Sequence, residues 1–203
     1  MDVLVDLRAL ELLNSRLCHE LISPVGAINN GVELMEEEDP DFVKEAMKLV
    51  ASSAKTAGLR LNFYRFAYGS GRGSSGRDAA MGLLEGSKVK GEWDEAVTAQ
   101  HVDWQRLACN MVVIAAEVLP RGGAVKIMPG AGGVGIAVSA TAESINLTEE
   151  VRAALGPSAS VEALGARTIH AYYTSKVAEA LSARIEIDDS QKGVVVFKTV
   201  GGV

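Results

Sequence analysis

"LCHELISPVGAINNGVELM", residues 17–35, carries helical spacing on one side and a histidine on the other. Leu10, Leu13, Leu17, Leu21, Pro24, Ile28, Val32 and Met35 recur every three or four residues, the interval that lines side chains along one face of a helix. The spacing predicts a helix from Asp2 to about Glu37 with an apolar seam nearly heptad in period. His19 lies about 160 to 200 degrees around that helix from Leu17 and Leu21, so it points away from the seam. Its neighbours along the outer stripe are Ser15 and Arg16 before it and Ser23, Gly26 and Asn30 after it, small or polar residues where a solvated face usually carries Glu and Lys. Gly26 costs about 0.5 to 1 kcal/mol relative to Ala in a helix, and Pro24 removes a backbone donor, so both call for compensation. A surface on which another protein comes close to His19 would provide it; an ordinary surface histidine is the plain alternative.

Working outward, "EEEDPD" ends the first helix, because Pro40 disfavours helix at Asp39 and can itself open the next one. The second helix is expected to run to Tyr68, with Phe42, Met47, Leu49, Val50, Ala54, Leu59, Leu61 and Phe66 supplying apolar surface. Two long helices joined by a short turn form an antiparallel hairpin, which cannot enclose its own stripes and should dimerise into a four-helix bundle. The hairpin domain is assigned to residues 1–68 and a flexible connector, "GSGRGSSGR", to 69–77. Residues 78–203 read as an α+β domain, helices on one side of a sheet. Its elements are a short helix in "DAAMGLLEG", a strand in "KVKGEWDEA", an apolar helix in "DWQRLACNMVVIAAEVL" and strands in "AVKIM" and "GIAVSATA". Helices over 148–155 and 161–182 and a terminal hairpin of "RIEID" and "VVVFKTV" complete it.

The chain has 203 residues, 48% of them hydrophobic, enough for real cores. No apolar run approaches the roughly 18 to 20 residues of a membrane span, and the acidic start "MDVLVDLRAL" is unlike a signal peptide, so a cytoplasmic protein is expected. Cys18 and Cys109 form no disulfide framework. A formal net charge of −6 without a dense Lys/Arg cluster argues against nucleic-acid binding.

Of the three histidines, His19 is the candidate nucleophile. A neutral imidazole keeps one ring nitrogen with a free lone pair, which attacks phosphorus; Glu20 beside it could hold the other nitrogen. Cys18 has no second Cys/His pair at ligand spacing, so no metal site is expected. "GAGGVG", residues 130–135, matches G-x-G-x-x-G, but a strand follows it instead of a helix, so it reads as a hairpin turn. Trp93 and Trp104 read as packing residues, since no basic patch interleaves with them.

Residues His19, Glu20, Leu21, Pro24, Ala27 and Ile28 resemble the phosphoacceptor box of histidine kinases, H-E/D-L-x-x-P-x-x-A-I. A kinase would carry an ATP-binding domain after the hairpin. The asparagine box of that domain, laid over "NMVVIAAEVLPRGG", keeps Asn110, Pro120, Gly122 and Gly123, but the magnesium-ligating asparagine falls on Ile114 and the lysine on Glu117. An aliphatic side chain cannot ligate Mg²⁺. "SATAESINL" lacks the aspartate and glycines of the adenine-reading box, and "TIHAYY" lacks the later phosphate-loop glycines. The combination resembles the ChpT-type histidine phosphotransferases of alphaproteobacteria, a kinase-like hairpin joined to a degenerate ATPase-like domain. That resemblance implies a homodimer that binds no cofactor and carries phosphoryl groups from the receiver domain of a hybrid histidine kinase to the receivers of downstream response regulators, in a relay controlling cell-cycle transcription. Mg²⁺ would come from the partner receiver. His19 and Glu20 would do the chemistry, and Arg16, Leu17, Ile22, Ser23, Gly26 and Asn30, with Arg60 and Tyr64 from the second helix, would form the docking face. An active histidine kinase and a non-catalytic dimeric scaffold are the competing readings.

Overall fold

The computed structural model describes residues 6–37, 39–69 and 75–201. The expected helical start at residues 2–5 and the middle of the connector, residues 70–74, lie outside them.

Helix α1 (Leu7–Leu34) begins where the Asp6 carboxylate accepts the Arg8 amide at 2.7 Å. Helix α2 (Pro40–Ala67) begins where Asp39 accepts from Asp41 at 2.9 Å, with Pro40 in the first turn, where a missing N–H is no loss. Pro24 sits inside α1 without ending it. The contact between the two helices uses less of the expected seam than its periodicity suggests. Leu13 and Pro24 are buried and Leu17, Leu21, Ile28 and Met35 half-buried, but Leu10 and Val32 are 47% and 51% exposed. The helices meet instead through small residues: a Cβ at Gly31 would stand 2.6 Å from Val50 Cγ2 and 3.3 Å from the Ala46 carbonyl oxygen. The larger apolar side chains Leu7, Leu10, Val25 and Val32 on α1 and Phe42, Met47, Leu49 and Leu61 on α2 remain exposed.

The rest of the chain forms α3 (Gly76–Leu84), β1 (Val89–Trp93), α4 (Glu95–Thr98), α5 (Val102–Glu117), β2 (Gly123–Pro129), β3 (Ile136–Thr141), α6 (Glu149–Leu155), α7 (Ile169–Ala180), β4 (Ala183–Asp188) and β5 (Val194–Gly201). Gly76 and Arg77, assigned to the connector by composition, are the first residues of α3, because the Ser75 hydroxyl accepts the Asp78 amide at 3.0 Å. The expected helix over 161–182 is split into a 3-10 turn at Val161–Ala163 and α7. Gly165 donates its N–H to the Thr168 hydroxyl at 3.0 Å, a local turn that competes with helical bonding.

Strand order in the five-stranded sheet is β1-β2-β3-β5-β4, with β1 parallel to β2 and the other pairs antiparallel. Ile127, Val138 and Phe197 are register partners across three strands and wholly buried, which defines the face covered by α5. Charged residues such as Lys126 and Glu92, 2.8 Å apart, occupy the other face. "GAGGVG" is the β2–β3 turn: Gly132, Gly133 and Gly135 all have positive φ, and Gly130 donates to the Gly135 carbonyl at 2.9 Å.

One continuous core joins the two halves, running from Ala9 and Leu13 through Phe63 and Phe66 into Leu107, Met111 and the sheet. At its centre His170 of α7 is wholly buried. Its Nε2 lies 3.0 Å from the Asn110 carbonyl, which can only accept, so the ring proton sits on Nε2 and Nδ1 accepts from the Tyr68 hydroxyl at 2.7 Å. Asn110 in turn donates its side-chain amide to the Ala67 carbonyl at 3.2 Å. Burial pushes the His170 pKa from 6.5 down to about 3, the Arg16 guanidinium adding to the effect. As pH falls the unfolded chain takes up this proton first, so stability is complete above about pH 6.5 and declines toward pH 3 at up to about 1.4 kcal/mol per pH unit. In urea titrations the native protein should therefore lose about 2 kcal/mol more than a His170→Gln variant between about pH 6.5 and pH 5. Equal losses would assign the acid sensitivity to another group.

Candidate functional site

The outer stripe of α1 presents His19 to solvent, and among the described residues its imidazole has no hydrogen-bond partner. Ser15, Ser23 and Asn30 are exposed along the same stripe, and Ile22 beside it is 67% exposed. A Cβ at Gly26 would meet nothing within 4 Å. His19 also lines an open cleft of about 500 Å³ between α1 and the sheet domain. Ser15, Arg16 and Glu20 share its α1 wall; Ile114, Glu117 and Val118 form the α5 wall; Thr148, Glu150 and Val151 at α6 and Ala166, Arg167 and Thr168 before α7 close the far side.

The remaining expected site residues are engaged within the chain. Arg16 is not free for a partner: its guanidinium pairs with the Glu117 carboxylate and donates to the Ala166 carbonyl at 3.2 Å, leaving the side chain 13% exposed. Leu17 is half-buried. Glu20 turns its carboxylate to Arg60 at 3.1 Å and not to His19, and Arg60 also donates to the Glu20 backbone carbonyl. Tyr64 stacks on Tyr68 with ring centroids 5.8 Å apart and meets Phe63 edge-on at 5.7 Å. It lines a second, smaller cleft of about 270 Å³ on the inner side of Arg16 and Glu20. Burial there raises the Tyr64 hydroxyl pKa to about 12, with the Glu20 charge adding to it.

Sequence reading did not anticipate Glu117 as a partner of Arg16, nor Ala166. Glu117 stood out only as an acid at a position where the kinase resemblance asks for a lysine, and nothing local links it to a residue 101 positions away. His101 accepts the Asp103 amide through Nδ1 at 3.4 Å, as the cap of α5. Among the described residues no three His, Cys, Asp or Glu side chains gather as a metal site would require. No described helix is long and apolar enough to cross a membrane.

Residues 76–193 match the family model described as the histidine phosphotransferase C-terminal domain. The chain is 32% identical over 208 residues to the protein phosphotransferase ChpT of Brucella abortus (strain 2308), an alignment that spans 96% of this chain and 98% of that one. It also superposes on a bacterial phosphotransferase solved at 1.7 Å with a TM-score of 0.76 and 29% identity, covering 98% of each chain. Fold and sequence thus agree on a phosphotransferase. More narrowly, the chain belongs to the ChpT-type histidine phosphotransferases.

The Arg16–Glu117 pair and the Arg16 bond to the Ala166 carbonyl are polar links across the cleft. Arg16 is 13% exposed and Glu117 43%, and Arg16 keeps its bond to the Ala166 carbonyl, so Glu117→Gln should cost only about 1 kcal/mol in chemical denaturation. A variant as stable as the native chain would mean that the pair is solvated and holds nothing.

Proposed function

We propose that the chain is a phosphorelay histidine phosphotransferase in which His19 accepts the phosphoryl group from the aspartyl phosphate of a hybrid kinase's receiver and passes it to the receivers of downstream response regulators. The observation that carries this reading is the exposed, uncommitted imidazole of His19 on a stripe kept low by Ser15, Ser23 and Gly26. A receiver lying along that stripe brings its aspartyl phosphate in line with a ring nitrogen. The nitrogen lone pair attacks phosphorus, the P–O bond to the aspartate breaks, and the electron pair of that bond leaves with the receiver's carboxylate. Transfer of this kind needs positioning and charge neutralisation. Mg²⁺ held in the receiver's acidic pocket supplies the neutralisation, and this chain supplies the nucleophile and the docking face.

The reading excludes ATP as the donor. The α5 wall of the cleft carries Ile114 where the resemblance to kinases asks for a magnesium ligand, and an aliphatic side chain cannot ligate Mg²⁺; Glu117, where it asks for a lysine, is paired with Arg16. The working unit is a homodimer: Leu7, Leu10, Val25, Val32, Met47 and Leu61 leave two helices with uncovered apolar rows, and a second hairpin would bury them in a four-helix bundle.

Two incubations test the proposal, one with labelled ATP alone and one with a labelled phospho-receiver, both scored for acid-labile label. Label arriving only from the receiver, and absent in His19→Gln, is the expected outcome; label from ATP alone would replace the relay reading with a kinase. Gly26→Arg adds bulk where nothing in the chain stands within 4 Å, so the fold should survive while transfer falls by about a hundredfold. Unchanged transfer in that variant would remove the outer stripe as the docking face.

A further inference from the structure

In an α-helix the carbonyl of residue i accepts from the N–H of residue i+4. For Glu20, the residue that follows His19, that donor would be residue 24, and residue 24 is a proline with no N–H. The Glu20 carbonyl is therefore orphaned one residue from the nucleophile. Across the hairpin, Arg60 of α2 places a guanidinium N–H on this carbonyl, and the same group is held by the Glu20 carboxylate at 3.1 Å. We infer that Arg60 is a positioning residue: it gives the Glu20 carbonyl the hydrogen bond that Pro24 denies it, and so fixes the turn of α1 from which His19 projects.

This inference rests on His19 as the phosphoacceptor and adds a role for Arg60 that is distinct from touching a receiver. Arg60 is 30% exposed and its guanidinium is already committed on two sides, to a backbone atom and a carboxylate of one residue. A guanidinium suits the task because several donors radiate from one plane, which lets it serve both atoms at once. It acts on the chemistry through α1, since an imidazole displaced by a fraction of an ångström leaves the line of attack on phosphorus.

The test is a cycle of four proteins, the native chain, Arg60→Ala, Pro24→Ala and the double variant, each assayed for the rate of phosphoryl transfer from a phospho-receiver over a range of receiver concentrations. Arg60→Ala should lower the maximal rate about tenfold and leave the half-saturating receiver concentration within about twofold. In the Pro24→Ala background, where position 24 regains its backbone N–H, losing Arg60 should cost no more than about twofold. A raised half-saturating concentration at an unchanged maximal rate would make Arg60 a receiver contact, and an equal loss in both backgrounds would show that the carbonyl is not its target; either overturns the inference. Should Arg60→Ala lose its helical circular dichroism, Arg60→Lys, which keeps a cationic donor but not the planar fork, carries the same comparison at an effect of about threefold. Amide hydrogen exchange over residues 20–28 is a readout independent of transfer: it should quicken in Arg60→Ala and slow again in the double variant, and unchanged exchange counts against the inference. Label persisting in His19→Gln would sink the phosphoacceptor reading while the exchange result still judged Arg60.

Discussion

The relation between the helical hairpin and the sheet domain depends on a closed ring of hydrogen bonds around one buried imidazole. Tyr68 donates to His170, His170 donates to the Asn110 carbonyl, and the Asn110 side chain donates back to Ala67, the residue before Tyr68. Each bond crosses between α2, α5 and α7, so the end of the hairpin cannot rotate against the sheet without breaking one of them beside a wholly buried imidazole, where an unpaired polar group is costly. That ring places α1 opposite the end of α5, and only then can Arg16 reach Glu117 and the cleft take shape beside His19. Asn110 keeps the identity that the kinase resemblance asks for, but its amide is committed to α2. Ile114, one turn further along α5, faces the cleft in place of a ligand.

Much of the hairpin and sheet was legible because its signals are local. Apolar spacing, Asp39 before Pro40, and glycines between two alternating runs each act over a few residues, and α1, α2, β2, β3, β4 and β5 follow them. Periodicity marks which side chains avoid water without saying what covers them: Leu10 and Val32 share the spacing of Leu13, yet both are exposed while Leu13 is buried. Composition failed at Gly76: a connector of Gly, Ser and Arg looks flexible, yet Ser75 caps a helix whose first residue packs against Gln105 and Trp93. The 165–168 turn was equally hidden, since a threonine hydroxyl that takes a backbone N–H leaves little trace in apolar spacing.

The candidate site divides along the same line. His19 and its stripe could be found from helix geometry alone. The partners of Arg16, Glu20 and Tyr64 could not, because each is set by a second element that brings a charge or ring from far along the chain. Sequence spacing thus identified the face that points outward and overestimated how many neighbouring side chains it leaves available.

The distances along the chain also bear on the order in which the molecule is built. Within the hairpin Arg60 meets Glu20 across 40 residues, whereas Tyr68 meets His170 across 102 and Arg16 meets Glu117 across 101. Local contacts form early and long-range ones late. During synthesis the pair of helices would emerge with Phe63 and Phe66, later wholly enclosed, still facing water until α5 and α7 have followed. The helix that carries His19 is thus among the first parts of this protein to exist, and the cleft beside it among the last.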